Sequence, residues 1–144
     1  LDPKETIMKK SGATCLWLPA IALVVLLPLA SLGQTQAEKA FLGSWKGNLT
    51  VGTQTLEIRL VFSLDEAKKI QGTFDSIGQN AFGLKLGDIK IEDKTISCVI
   101  ADLAAQGNPT FNGRLDATGT KIEGEFTQMG FTGRFSVEKE KPQK

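Results

Sequence analysis

The stretch Thr73–Gly83, TFDSIGQNAFG, gathers Asp75, Ser76, Gln79 and Asn80, four hydrogen-bonding side chains within six positions. A carboxylate next to a hydroxyl is raw material for nucleophilic hydrolysis, with Ser76 as the attacking group and Asp75 and Gln79 in support. A serine attacks only when a base takes its proton, and the usual base is an imidazole. The chain contains no histidine. That removes Ser-His-Asp and Cys-His arrangements, along with the usual His-bearing zinc sites. Neither a Gly-x-Ser-x-Gly elbow nor a glycine-rich phosphate loop ahead of a helix occurs.

The other reactive groups are equally unpromising. Cys98 shares parity with Ile96 and Ile100 in Ser97-Cys98-Val99-Ile100 and reads as a small buried hydrophobe, since a reactive thiol wants exposure and a nearby cation. Asp65/Glu66 and Glu92/Asp93 fall in turns, and Glu123/Glu125 on an outward strand face. None has the buried, split-pKa setting that acid–base chemistry needs. Asn48-Leu-Thr50 matches a glycosylation sequon but lies within a strand, behind a bacterial-looking leader. The expectation is a protein that is not an enzyme, with no catalytic residue, metal or cofactor.

The elements around these residues are strands. Leu56, Ile58, Leu60, Phe62 and Leu64 alternate with Glu57, Arg59 and Ser63, a period of two that a helix would scatter. The same reading along the chain predicts eight strands: 44–51, 54–64, 69–75, 82–92, 95–101, 110–116, 121–127 and 131–138. Short polar turns such as Gly52-Thr53, Glu92-Asp93-Lys94 and Gln128-Met129-Gly130 join antiparallel neighbours. No part of the chain after residue 37 has convincing helical period.

A second pattern specifies the architecture. Gly47, Gly72, Gly113, Gly124 and Gly133 each stand between two large apolar residues at i−2 and i+2. Glycine weakens a strand interior, so five on inward faces call for a reason. Bending of a sheet that closes on itself is favoured over close approach of a ligand, because small barrels alternate large and small inward residues. The expected fold is all-β: a small antiparallel up-and-down, lipocalin-like barrel of about eight strands, preceded by a signal-peptide helix. Trp45, Phe62, Phe74, Phe111, Phe126, Phe131 and Phe135 are expected to point inward, to fill the interior or to line an apolar pocket.

The N-terminal part reads as an export leader. Met8-Lys9-Lys10, the apolar run CLWLPAIALVVLLPLA and the tail SLGQTQA form the three parts of a secretory signal peptide, with cleavage expected after Ala37. Residues 1–7 read as an over-extended gene start, 8–37 as the signal, 38–139 as the barrel domain and 140–144 as a disordered tail. Pro19, Pro28 and the lack of a positive flank argue against a retained anchor, so membrane contact is expected only if the leader stays uncleaved. Beyond residue 37, 14 basic residues balance 14 acidic ones. No basic face is present for nucleic acid. Cys98 is the single cysteine after residue 37, so that part can form no internal disulfide. A monomer in the periplasm or outside the cell is expected.

Four stretches together resemble a known module: Gly43-Ser-Trp45-Lys-Gly47-Asn-Leu49, Leu56 to Leu64, Gly72-Thr-Phe-Asp75-Ser76-x-x-Gln79, and Ile122-x-Gly124-x-Phe126-x-Gln128. Their order is similar to the small β domain preceding secreted bacterial α/β hydrolases of the serine-aminopeptidase and dienelactone-hydrolase type, over about residues 41–137. The resemblance implies a non-catalytic accessory barrel. In that family Pro-Asp or a similar turn usually follows the position of Ser76, where this chain has Ile77-Gly78, and a hydrolase usually follows the barrel, so the expectation is either a stand-alone relative or a fragment. The functional expectation is therefore a binding or accessory module. Its expected ligand-contacting residues, in the barrel interior and at its rim, are Trp45, Phe62, Phe74, Ser76, Gln79, Phe111, Phe126 and Phe135. The alternative is an interaction barrel that docks to an envelope protein or a separately encoded hydrolase. The opening stretch itself reads as a turn, with a second role as a ligand-contacting rim left open.

Overall fold

The computed structural model describes residues 35–142. A short helix, α1 (Gln36–Phe41), leads into eight strands: β1 (Gly43–Val51), β2 (Gln54–Leu64), β3 (Ile70–Ser76), β4 (Ala81–Glu92), β5 (Thr95–Ile100), β6 (Thr110–Leu115), β7 (Lys121–Gln128) and β8 (Phe131–Lys139). Each strand pairs antiparallel with the next, and β8 returns to β1 to close the barrel. The closing register runs from Trp45 opposite Lys139 to Val51 opposite Gly133. Closure leaves no unpaired edge to recruit another chain. The expected eight strands are all present, with ends within a residue or two. No helix among the described residues is long and apolar enough to cross a membrane. The apolar part of the expected leader lies outside the described residues.

The alternation does what it predicts. Ile58, Leu60 and Phe62 of β2 are buried, as are Phe111 and Leu115 of β6 and Phe135 and Val137 of β8. The glycines separate into two groups by what a methyl group in their place would meet. At Gly47 it would lie 1.9 Å from the Ser136 carbonyl oxygen, at Gly124 1.9 Å from that of Asn112, and at Gly133 2.6 Å from that of Thr50. Those three let adjacent backbones bend tightly around the small barrel. At Gly72 and Gly113 it would instead meet core side chains, Phe62 and Leu86 in one case, Ile122 and Phe135 in the other. Those two make room for packing.

Helical structure appears where none was expected. Helix α1 is six residues long, too short to show a period, and its cause is local. Thr35 and Glu38 form a reciprocal capping box, with Thr35 N–H donating to Glu38 Oε2 at 3.1 Å and Glu38 N–H to Thr35 Oγ1 at 3.2 Å. The expected cleavage point after Ala37 falls inside this helix. Its last residue, Phe41, is fully buried, and its carbonyl accepts the indole N–H of Trp45 at 2.8 Å. Two stretches of 3₁₀ helix, Ile77–Gln79 and Ala101–Gln106, bridge β3 to β4 and β5 to β6. At the other terminus, Glu140 lies in the expected tail but is held by Ser44 and by Arg59 Nε at 3.0 Å, tying the chain end across β1 and β2.

The candidate ligand-binding mouth of the barrel

The two ends of the barrel differ. At the end where the chain enters, α1 and the fully buried Trp45 close the opening, and Lys139 Nζ stands 5.2 Å from the Trp45 ring centroid. The middle is filled by aromatics. Phe111 lies 5.5 Å from Phe74, 4.9 Å from Phe126 and 5.0 Å from Phe135 between ring centroids, the last in an edge-on arrangement. Such tilted pairs are the favoured geometry for rings.

The opposite end opens into a cavity of about 240 Å³. Its floor is Phe74 and Phe126, the upper members of the aromatic cluster. The wall comes from the β1–β2 hairpin, through Leu49, Val51 and Leu56, and from the β5–β6 connection, through Ile100, Leu103 and Pro109. Gln54, Gln79 and Gln128 stand among these apolar groups, and Met129 and Phe131 of the β7–β8 hairpin complete the lining. Met129 and Phe131 are 71% and 70% exposed. Phe131 thus departs from the inward placement expected for it: it begins β8 at the rim, beyond the level at which an opposing wall would cover it. Phe82, 56% exposed, lies at the start of β4 near the same rim but outside the lining.

TFDSIGQNAFG resolves into a turn with a bulge. Between Phe74/Leu84 and Ser76/Ala81 the β3–β4 register shifts, so that Phe82 and Gly83 stand opposite Asp75 alone. The Gly83 N–H, displaced from the ladder, donates to Asp75 Oδ1 at 2.7 Å. Asp75 Oδ2 also lies 3.8 Å from Arg59. Ser76 is buried, and its hydroxyl donates to Gln79 Oε1 at 3.1 Å, closing the 3₁₀ turn. Asn80 then takes the left-handed conformation that Asn tolerates. Three of these polar side chains build the bend, and only Gln79 also reaches the cavity.

Of the expected site residues, Phe74, Gln79 and Phe126 come together at the mouth. Trp45 lies at the closed end, Phe62, Phe111 and Phe135 are packed in the core, and Ser76 is turned into its bend. Phe131, expected to face the interior, does line the cavity, from the rim; Leu49, Gln54, Leu56, Leu103, Gln128 and Met129 are lining residues that the sequence did not single out. Parity marks which residues face inward but not their height in the barrel. The hairpin positions of Gln128 and Met129 were the available signal. Cys98 is buried, and burial pushes its thiol up to about 12, far from a nucleophile's range. No cluster of metal-ligating side chains occurs among the described residues. A larger hollow, about 760 Å³ on the outer wall, is bordered by Lys90, Glu92, Arg114, Glu123 and Glu125. Mixed, solvated charges of this kind mark an ordinary surface rather than an apolar site.

These features define a closed, eight-stranded up-and-down barrel, plugged at one end and open at the other. Among solved structures it is similar to a redesigned β-barrel, with a TM-score of 0.59 at 13% identity over 76% of this chain and 99% of that one. A second redesigned β-barrel, bound to DFHBI, aligns with a TM-score of 0.46 at 17% identity over 74% of this chain and all of the other. The first likeness establishes the fold. No protein-family model and no curated protein matches the sequence.

Proposed function

We propose that this protein is an exported, non-catalytic binding module that takes a small apolar ligand into the mouth of its barrel. The observation that carries the reading is the cavity of about 240 Å³ beneath the exposed Met129 and Phe131. Exposed large apolar groups clustered at one opening favour a binding role over chance. The volume falls just under the ~300 Å³ at which sites for drug-sized ligands begin. An engineered apolar cavity of about 150 Å³ accepts benzene. One ring with a short substituent, or a short hydrocarbon chain, therefore suits the space. Export follows from the leader, and the lack of histidine supports a non-catalytic role.

Thermal melting against a panel of small apolar compounds tests this. A ligand at ~100 times its Kd adds about 2.7 kcal/mol, a rise of at least roughly 10 °C for a domain of this size. Leu56→Trp, which fills the cavity from β2, should abolish that rise while circular dichroism stays unchanged. A rise that persists in Leu56→Trp would place the ligand elsewhere. One observation favours a second reading: Phe82 is exposed near the same rim yet lies outside the lining of this cavity. This suits an interaction barrel whose mouth docks to an envelope protein or a separately encoded hydrolase. Pull-down with Phe82→Ser against the unaltered protein separates the two.

A further inference from the structure

The chemistry of the lip narrows the ligand class, an inference that rests on the mouth being the binding site. Every residue lining the cavity is uncharged. Its polar side chains are three amides, Gln54, Gln79 and Gln128. Two are already half-committed in opposite senses. Gln79 accepts the Ser76 hydroxyl through Oε1, which leaves its NH₂ as a donor. Gln128 donates through Nε2 to the Gln106 carbonyl at 2.9 Å, which leaves its Oε1 as an acceptor. With Gln54 as a third amide, and with a second N–H on each NH₂, the lip offers several neutral donors and acceptors and no charge above an apolar floor.

We infer that the site selects an uncharged amphiphile: one ring or short chain bearing a hydroxyl or primary amide, in preference to its carboxylate counterpart. A hydroxyl donates and accepts, and so can pair with an amide oxygen or an amide N–H of the lip. A carboxylate can accept from these amides, but no lining cation offsets the desolvation of its charge, whereas a hydroxyl or amide carries no such cost. The nearest acidic group on the β5–β6 connection, Asp102, uses Oδ2 to accept the Lys85 N–H at 2.8 Å and adds nothing favourable for an anion. A single well-made hydrogen bond together with an unmet one is worth about tenfold in affinity.

Toluene, benzyl alcohol and benzoate share one ring and differ in the head, which makes them the probes. Each is titrated into the protein at pH 7, where benzoate is ionised, and followed by NMR shifts of the mouth residues. Benzyl alcohol is expected to bind about tenfold more tightly than benzoate, and more tightly than toluene. In Gln54→Lys a cation stands at the lip, and benzoate should gain at least about fivefold. Benzoate binding as tightly as benzyl alcohol, benzyl alcohol binding no better than toluene, or no gain in Gln54→Lys overturns the inference and leaves the cavity reading standing. If none of the three probes shifts the mouth residues, both fall together.

Discussion

Gly47, Gly124 and Gly133 are placed against the backbone of a neighbouring strand, and Gly72 against side chains. The difference sets what substitution should cost. Backbone carbonyls cannot move aside, so Gly124→Ala should destabilise by about 3 kcal/mol. Phe62 and Leu86 can shift slightly, and Gly72→Ala should cost nearer 1 kcal/mol. Urea midpoints of the two variants check the order; the reverse order would refute a role for Gly124 in bending the wall.

Glu140 provides a residue-scale dependence on pH. Its hydrogen bond from Ser44, then the nearby charges of Arg59 and Lys46, hold its carboxyl below the usual value despite some desolvation. A group lowered on folding stabilises the fold above its unfolded pKa of about 4.3 and loses that contribution as pH falls through the folded value. Unfolding free energy should therefore drop less between pH 5 and pH 3 in Glu140→Gln than in the unaltered protein. The difference should stay under about 1 kcal/mol, because the pair is partly exposed to solvent.

Among the elements, α1 contributes through its end more than through its length. Phe41→Ala empties a fully buried site and weakens the seat of the Trp45 N–H, so a loss of about 3–4 kcal/mol is expected. Thr35→Ala removes only an exposed cap and should cost about 1 kcal/mol or less. Cleavage after Ala37 would likewise remove the cap and spare the plug. Thermal melts of the two variants distinguish these contributions, and equal losses would contradict the view of α1 as a plug anchored at Phe41. The β3–β4 connection teaches a related lesson. Its hydrogen-bonding residues read as a turn, and the fold uses the side chains of Asp75, Ser76 and Gln79 to carry the chain across a bulge.

At the scale of the molecule, the barrel is a filled tube with one unfilled end. Cys98 lies in its wall, buried and with its thiol pushed up to about 12. It should be silent toward a thiol reagent at pH 8 in the native state and react fully once the barrel is unfolded in urea. The same reaction then measures ligand protection, since anything bound at the mouth should slow it by slowing opening of the barrel. Prompt reaction of the native protein would mean that the wall opens far more readily than its packing implies.

The strands, their order, the inward parity of the core and the bends at glycine were all set by local pattern. Period-two alternation and turn residues are properties of neighbours in sequence, and consecutive hairpins leave few choices of topology. The tertiary structure alone decided height. Trp45 and Phe126 both face inward two positions from a glycine, Gly47 after the one and Gly124 before the other, yet one lies under α1 and the other floors the cavity, because closure sets how far each strand is displaced along the barrel axis. The shape of the mouth also depended on a contact between distant residues, Gln128 with Gln106. The sequence by itself therefore determined a barrel with an apolar interior. Only the closed fold decided that the lower part is filled and that the mouth, ringed by three glutamines, is left open.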